Sequence, residues 1–82
     1  MSWNMVVTDV YDIRGRGRIA TGTYEGDVRP APGDVALMED GTEVTVVGVE
    51  GWRGVAGLSR EVGLVLRGEP NVVVGATLRN VR

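Results

Sequence analysis

Eighty-two residues leave room for one small domain with a single hydrophobic core and little volume for a deep substrate cavity. All nine basic residues are arginine, and lysine, histidine and cysteine are absent, which excludes P-loop phosphate binding, Schiff-base chemistry, Ser-His and Cys-His catalysis, thiolate metal sites and disulfide staples. The formal net charge of −2 argues against indiscriminate nucleic-acid binding, which leaves a strongly basic footprint.

Strand signals dominate the chain: β-branched residues are abundant, thirteen glycines punctuate them, and no window holds helical spacing for three turns. The first strand is expected from Trp3 to Ile13, with Val6 and Val10 on one face and Asp9 and Tyr11 together on the other by period-two alternation. Arg14 to Gly17 reverses the chain, its glycines able to take positive φ, and hands over to a second strand, Arg18 to Glu25. Gly26 to Gly33 carries Pro30 and Pro32, which cannot donate into a central sheet, and reads as an irregular connection ending in the Pro32–Asp34 turn.

Val35 to Glu39 and Thr42 to Glu50 flank Asp40-Gly41, a two-residue hairpin signal that suits a type I′ turn. Trp52 to Arg60 is a glycine-containing loop. Val62, Leu64 and Leu66 then alternate inward on a further strand, and Gly75 to Val81 closes the chain. Six strands with turns every eight to twelve residues predict an all-β fold, a small six-stranded closed barrel that leaves no exposed edge. Nothing marks a domain boundary or a tandem repeat, so residues 1–82 are read as a single domain.

The eleven acids are scattered and never fall in a calcium-loop pattern, so no metal site and no cofactor are expected. No apolar run approaches the ~20 residues of a membrane span, and Met-Ser-Trp-Asn-Met at the start carries neither a basic segment nor an apolar signal core. The expectation is a cytoplasmic protein with no membrane partner.

Five segments in order resemble the second domain of elongation factor Tu and related translational GTPases: Asp9-Val-Tyr-Asp-Ile-Arg-Gly-Arg-Gly, Ala20-Thr-Gly-Thr-Tyr-Glu, Pro32-Gly-Asp-Val, Val47-Gly-Val-Glu and Val62-Gly-Leu-Val-Leu-Arg-Gly. The resemblance covers nearly the whole chain and implies a six-stranded translation-protein β-barrel. In that family a GTPase domain precedes this barrel and another barrel follows it; neither is present in these residues, so no nucleotide is expected to bind this chain alone. The family's second domain helps hold the aminoacylated end of transfer RNA and touches the ribosome. Carried over position by position, the resemblance implies a face built from Asp9, Tyr11, Thr21, Glu50 and Arg53, with Tyr11 where the family usually has phenylalanine and Trp52 replacing another large apolar residue. An aromatic face stacks on a base and arginine contacts phosphate. Glu61 departs from the family's usual asparagine and adds a negative charge where an RNA end would approach.

Two uses of this surface follow. In the first, a non-catalytic module binds structured RNA or a ribonucleoprotein, transfer RNA or the ribosome, through Asp9, Tyr11, Arg16, Thr21, Glu50, Trp52 and Arg53. In the second, the same face docks a protein partner or a second copy of the chain. No residue set forms an active site: Glu50 and Glu61 flank a loop without a supporting cleft. Arg14, Arg16 and Arg18 either present guanidinium groups at the hairpin tip or form a solvated turn. Asp9, Tyr11 and Thr21 form either a recognition face or a cross-strand set that fixes register. Trp3 and Trp52 either anchor a partner or fill the core, the ordinary destination in a chain with four aromatics and no phenylalanine.

Overall fold

A computed structural model describes residues 2–15, 17–51, 60–68 and 70–81. Among them are six strands: β1 Trp3–Ile13, β2 Gly17–Gly26, β3 Val35–Leu37, β4 Glu43–Gly51, β5 Glu61–Leu66 and β6 Thr77–Asn80. Every neighbouring pair is antiparallel, and the order β1-β2-β5-β4-β3-β6 returns from β6 to β1. The sheet is therefore a closed ring, with ladder partners on both sides of each strand.

The interior is filled by alternate residues of each strand: Trp3, Met5 and Val7 from β1, Ala20 and Tyr24 from β2, Val44 and Val46 from β4, and Val62, Leu64 and Leu66 from β5. The inward alternation expected for β5 is thus observed. Trp3 belongs to the core, only 1% exposed, and its indole Nε1–H donates to Asp34 Oδ2 at 2.8 Å. The same oxygen accepts the Ala31 N–H at 3.0 Å, so one carboxylate ties the first strand to the proline-bearing connection before β3.

The structure corrects several expectations. Val6 and Val10 do not share a face: the register shifts between Val7 and Asp9, so Val6 points outward, 51% exposed, while Val10 packs against the core. One extra residue in a bulge reverses the facing of everything beyond it. Asp40-Gly41 is not a type I′ pair, because only Gly41 takes positive φ (92°). The Met38 carbonyl accepts the Gly41 N–H at 3.0 Å and the Met38 N–H donates to Thr42 O at 2.8 Å, which makes a three-residue loop with glycine at its left-handed position. Asp40 caps this loop by accepting the Thr42 N–H at 2.9 Å. The final strand begins at Thr77 rather than Gly75, since Gly75 lies in a turn at φ 93°.

Arg18 is not displayed at the hairpin tip. Its Nε and NH2 groups donate to the two oxygens of Asp12 at 2.7 and 3.1 Å, and its NH1 group to Pro70 O at 2.7 Å. This clamp closes one end of the ring by joining the base of the β1–β2 hairpin to the β5–β6 connection. The loop expected from Trp52 lies outside the described residues except for Arg60.

Candidate functional site

The ladder registers align the predicted residues into a row. Asp9 pairs with Thr21, Thr21 with Gly63, and Gly63 with Glu50, across β1, β2, β5 and β4. Two residues along, Tyr11 pairs with Ile19, Ile19 with Val65, and Val65 with Gly48. Residues of β2 and β5 that face inward are Ala20, Val62 and Leu64; by alternation Ile19, Thr21, Gly63 and Val65 face outward. Asp9, Tyr11, Thr21 and Glu50 therefore occupy one outer face of four neighbouring strands.

This face has an uncommon interior. Ile19 and Val65 are buried yet stand apart from the central cluster, and Thr21 is the one buried polar side chain among the described residues. Gly63 lies between them. A Cβ built on it would stand 3.4 Å from Ile19 Cγ2, 3.5 Å from Thr21 Cγ2 and 3.7 Å from Glu50 Cβ, so three side chains surround a position that carries only hydrogen. The result is a small buried patch on the outer side of the sheet, Ile19, Thr21, Gly63 and Val65, with the exposed Tyr11 at its margin.

Beside that patch the β1 bulge opens a polar hollow of about 180 Å³, lined by Thr8, Asp9, Thr21, Gly22, Thr23 and Glu61. Thr8 is the extra residue, and its hydroxyl donates to Thr21 O at 3.2 Å, which fixes the bulge against β2. Asp9 and Glu61 thus meet in one hollow although they are far apart in sequence. At the start of β5 the Arg60 guanidinium sits 5.2 Å from the Tyr24 ring centroid and donates to Gly26 O at 3.2 Å. That arginine is held over an aromatic face, where a cation is attracted by the ring quadrupole.

Of the predicted residues, then, the structure brings Asp9, Tyr11, Thr21 and Glu50 together and adds Glu61. Arg16, Trp52 and Arg53 lie outside the described residues. Reading the sequence missed Ile19, Gly63 and Val65 as members of the buried patch. Their signal was present in β5, where Val62 to Leu66 is buried at every position, a run too apolar for a strand with one wet face. Thr8 gave no signal, since a bulge adds a residue without changing composition.

Among the described residues no group of three or more His, Cys, Asp or Glu is placed to hold a metal, and no helix is long and apolar enough to cross a membrane. The chain matches no family model in a comparison with known protein families.

Proposed function

We propose that the chain is a non-catalytic binding module of the translation-factor barrel type, which holds structured RNA or a ribonucleoprotein against the outer face of β1, β2, β5 and β4. The observation that carries this reading is the single register row Asp9, Thr21, Gly63 and Glu50, with Tyr11 and the apolar pair Ile19 and Val65 in the adjoining row. Tyr11 is exposed and offers a ring on which a base can stack, and the exposed Asp9 carboxylate beside it can accept from base and sugar edges, while Ile19, Thr21, Gly63 and Val65 are buried and set the shape of the face. The closed six-strand ring and the five sequence segments that resemble elongation factor Tu support the same class.

The test is affinity capture from cell extract, divided into RNase-treated and untreated halves, combined with binding of bulk transfer RNA to the purified chain. Tyr11→Ala removes the exposed stacking surface, and Asp9→Ala removes an exposed acceptor on the same face. Both variants are expected to lose RNA recovery while keeping the wild-type circular dichroism spectrum. Unchanged RNA binding in both folded variants would remove this face from the assignment.

A second reading has its own support. Asp9 and Glu61 line the same hollow, and two carboxylates disfavour approach of a phosphate backbone while suiting a basic protein surface. Recovery of one protein partner that survives RNase, with loss of that partner in Asp9→Lys, would establish protein docking at this face instead.

A further inference from the structure

The end of the ring opposite the proline-bearing connection carries a surface that the reading above does not use. Both hairpins turn there. The β1–β2 tip follows the Ile13–Gly17 pair; Arg18, next along β2, pairs with Leu66, which pairs with Val46 near the start of β4, and the β3–β4 tip lies just beyond. The connection from β5 to β6 crosses the same end. Its Val72 enters the core, whereas Val73 and Val74 are 57% and 63% exposed. The core does not require these two valines, and they sit side by side.

Between this connection and the β3–β4 tip runs an open cleft of about 420 Å³. Met38, Val73, Val74 and Ala76 give it apolar walls, and the acidic residues Glu39 and Asp40 line one side, their carboxylates each accepting one backbone N–H, from Thr77 and Thr42, and keeping their negative charge there. No basic residue lines it among the described residues. Its complement is a slender projection carrying a cation next to an aliphatic group. The β1–β2 tip of this chain has that form: Arg14 is exposed, Ile13 is partly exposed, and around Gly15 nothing stands within 4 Å of where a Cβ would be. Arg18 holds the base of the tip to Pro70 O, so the projection is fixed relative to the connection that forms the cleft. Asp12, the acid nearest the tip in sequence, is occupied by Arg18.

We propose that two copies of this chain pair through this end, the Arg14 tip of each entering the acidic, apolar-walled cleft of the other. Projection and cleft lie at one end of the ring, so a two-fold axis forms both contacts at once and closes the assembly at a dimer. Val73 and Val74 are covered at its centre, and the guanidinium and carboxylates lie at its rim. The surface is complementary to itself, and for that reason the occupant is a second copy. This end is separate from the row Asp9, Thr21, Gly63 and Glu50, and the proposal stands whether or not that row binds RNA.

Sedimentation equilibrium of the full chain over rising concentration tests it. The wild type is expected to pass from monomer to dimer. Arg14→Glu and Asp40→Arg each place like charges at both contacts and should weaken association by about tenfold or more. In an equal mixture of the two variants, the altered tip of the Arg14→Glu copy meets the altered cleft of the Asp40→Arg copy with opposite charges. The second contact then joins the native Asp40 of the first copy to the native Arg14 of the other, and dimer should return. Val74→Glu should weaken association and should not be restored by mixing with either. Circular dichroism of each variant separates loss of pairing from loss of fold, and Val74, exposed in a turn, can be changed without touching the core. A wild type that stays monomeric, single variants that pair like wild type, or folded Arg14→Glu and Asp40→Arg that fail to associate when mixed would each overturn the proposal.

Discussion

Replacing Trp3 by phenylalanine tests how much of the fold depends on one buried side chain. The indole is 1% exposed and donates at 2.8 Å to Asp34 Oδ2, which also receives the Ala31 N–H. Phenylalanine cannot donate, and loss of a hydrogen bond to a charged acceptor costs about 1.5–3 kcal/mol. The smaller ring leaves a hollow in the core cluster to which Trp3 belongs, which adds about 1–2 kcal/mol. The expected loss is therefore about 2.5–5 kcal/mol. A domain of this size has about 4–12 kcal/mol in all, so the variant should melt far below wild type. Urea unfolding followed by far-ultraviolet circular dichroism is the suitable assay, because Trp52 remains as a second fluorophore. A cycle with Asp34→Ala isolates the hydrogen bond, since residues joined by one bond should show a coupling energy of about 0.5–3 kcal/mol. A loss below about 1 kcal/mol, or strict additivity in the cycle, would refute the view that this bond anchors the first strand to the connection before β3.

Gly22→Ala should destabilise by about 1–3 kcal/mol or more, because the new Cβ would overlap the Val6 carbonyl oxygen and stand only 3.0 Å from Met5 Cγ; thermal melts of the variant read this directly. The carboxyls of Asp12, Asp27 and Asp40 are held below the ordinary aspartate range, chiefly by hydrogen bonds from Arg18, from the Ser2 backbone and from the Thr42 backbone. A carboxyl with a lower pKa folded than unfolded stabilises the fold above its unfolded value and loses that contribution as pH falls through the folded one, so urea midpoints should decline below about pH 4 and hold level from there to neutrality. Arg18→Met keeps the aliphatic stem but removes the clamp, and carbon-detected titration should then find the Asp12 carboxyl moved up toward its ordinary range, with a lower melting temperature; an unmoved Asp12 would show that Arg18 is not the cause of its shift.

Much of the architecture could be read from the chain. Trp3 to Ile13 is a strand with those bounds, the prolines mark the irregular connection, and Val62, Leu64 and Leu66 face inward, because period-two alternation and proline's missing donor act locally. Where the reading failed, a non-local or geometric cause intervened. The bulge at Thr8 separates Val6 from Val10, and nothing in the residue types announces it. Asp40-Gly41 contains the right glycine, but Asp40 keeps negative φ while its carboxylate caps the Thr42 N–H. Arg18 reads with Arg14 and Arg16 as either a displayed arginine or part of a solvated turn, yet its partner Pro70 lies 52 residues away. For the candidate site, the polar members Asp9, Tyr11, Thr21 and Glu50 were legible as a set, and their common face follows from register. The bare centre at Gly63 was not, because a glycine in a strand gains meaning only from the side chains that surround it.

The ring is not equally strong around its circumference. β3 and β6 share only two register pairs, Ala36 with Asn80 and Leu37 with Arg79. Beyond Leu37 the Glu39 carboxylate takes the place of a strand and accepts the Thr77 N–H at 2.9 Å, while Val81 donates to Val35 O at the other end. This seam is where amide hydrogens should exchange with solvent soonest, since local opening follows the fewest bonds. The four strands of the candidate site are consecutive neighbours on the opposite arc. Breathing at the seam therefore leaves the binding face assembled, whereas a second copy seated in the cleft beside Glu39 would act as a latch and slow exchange across β6.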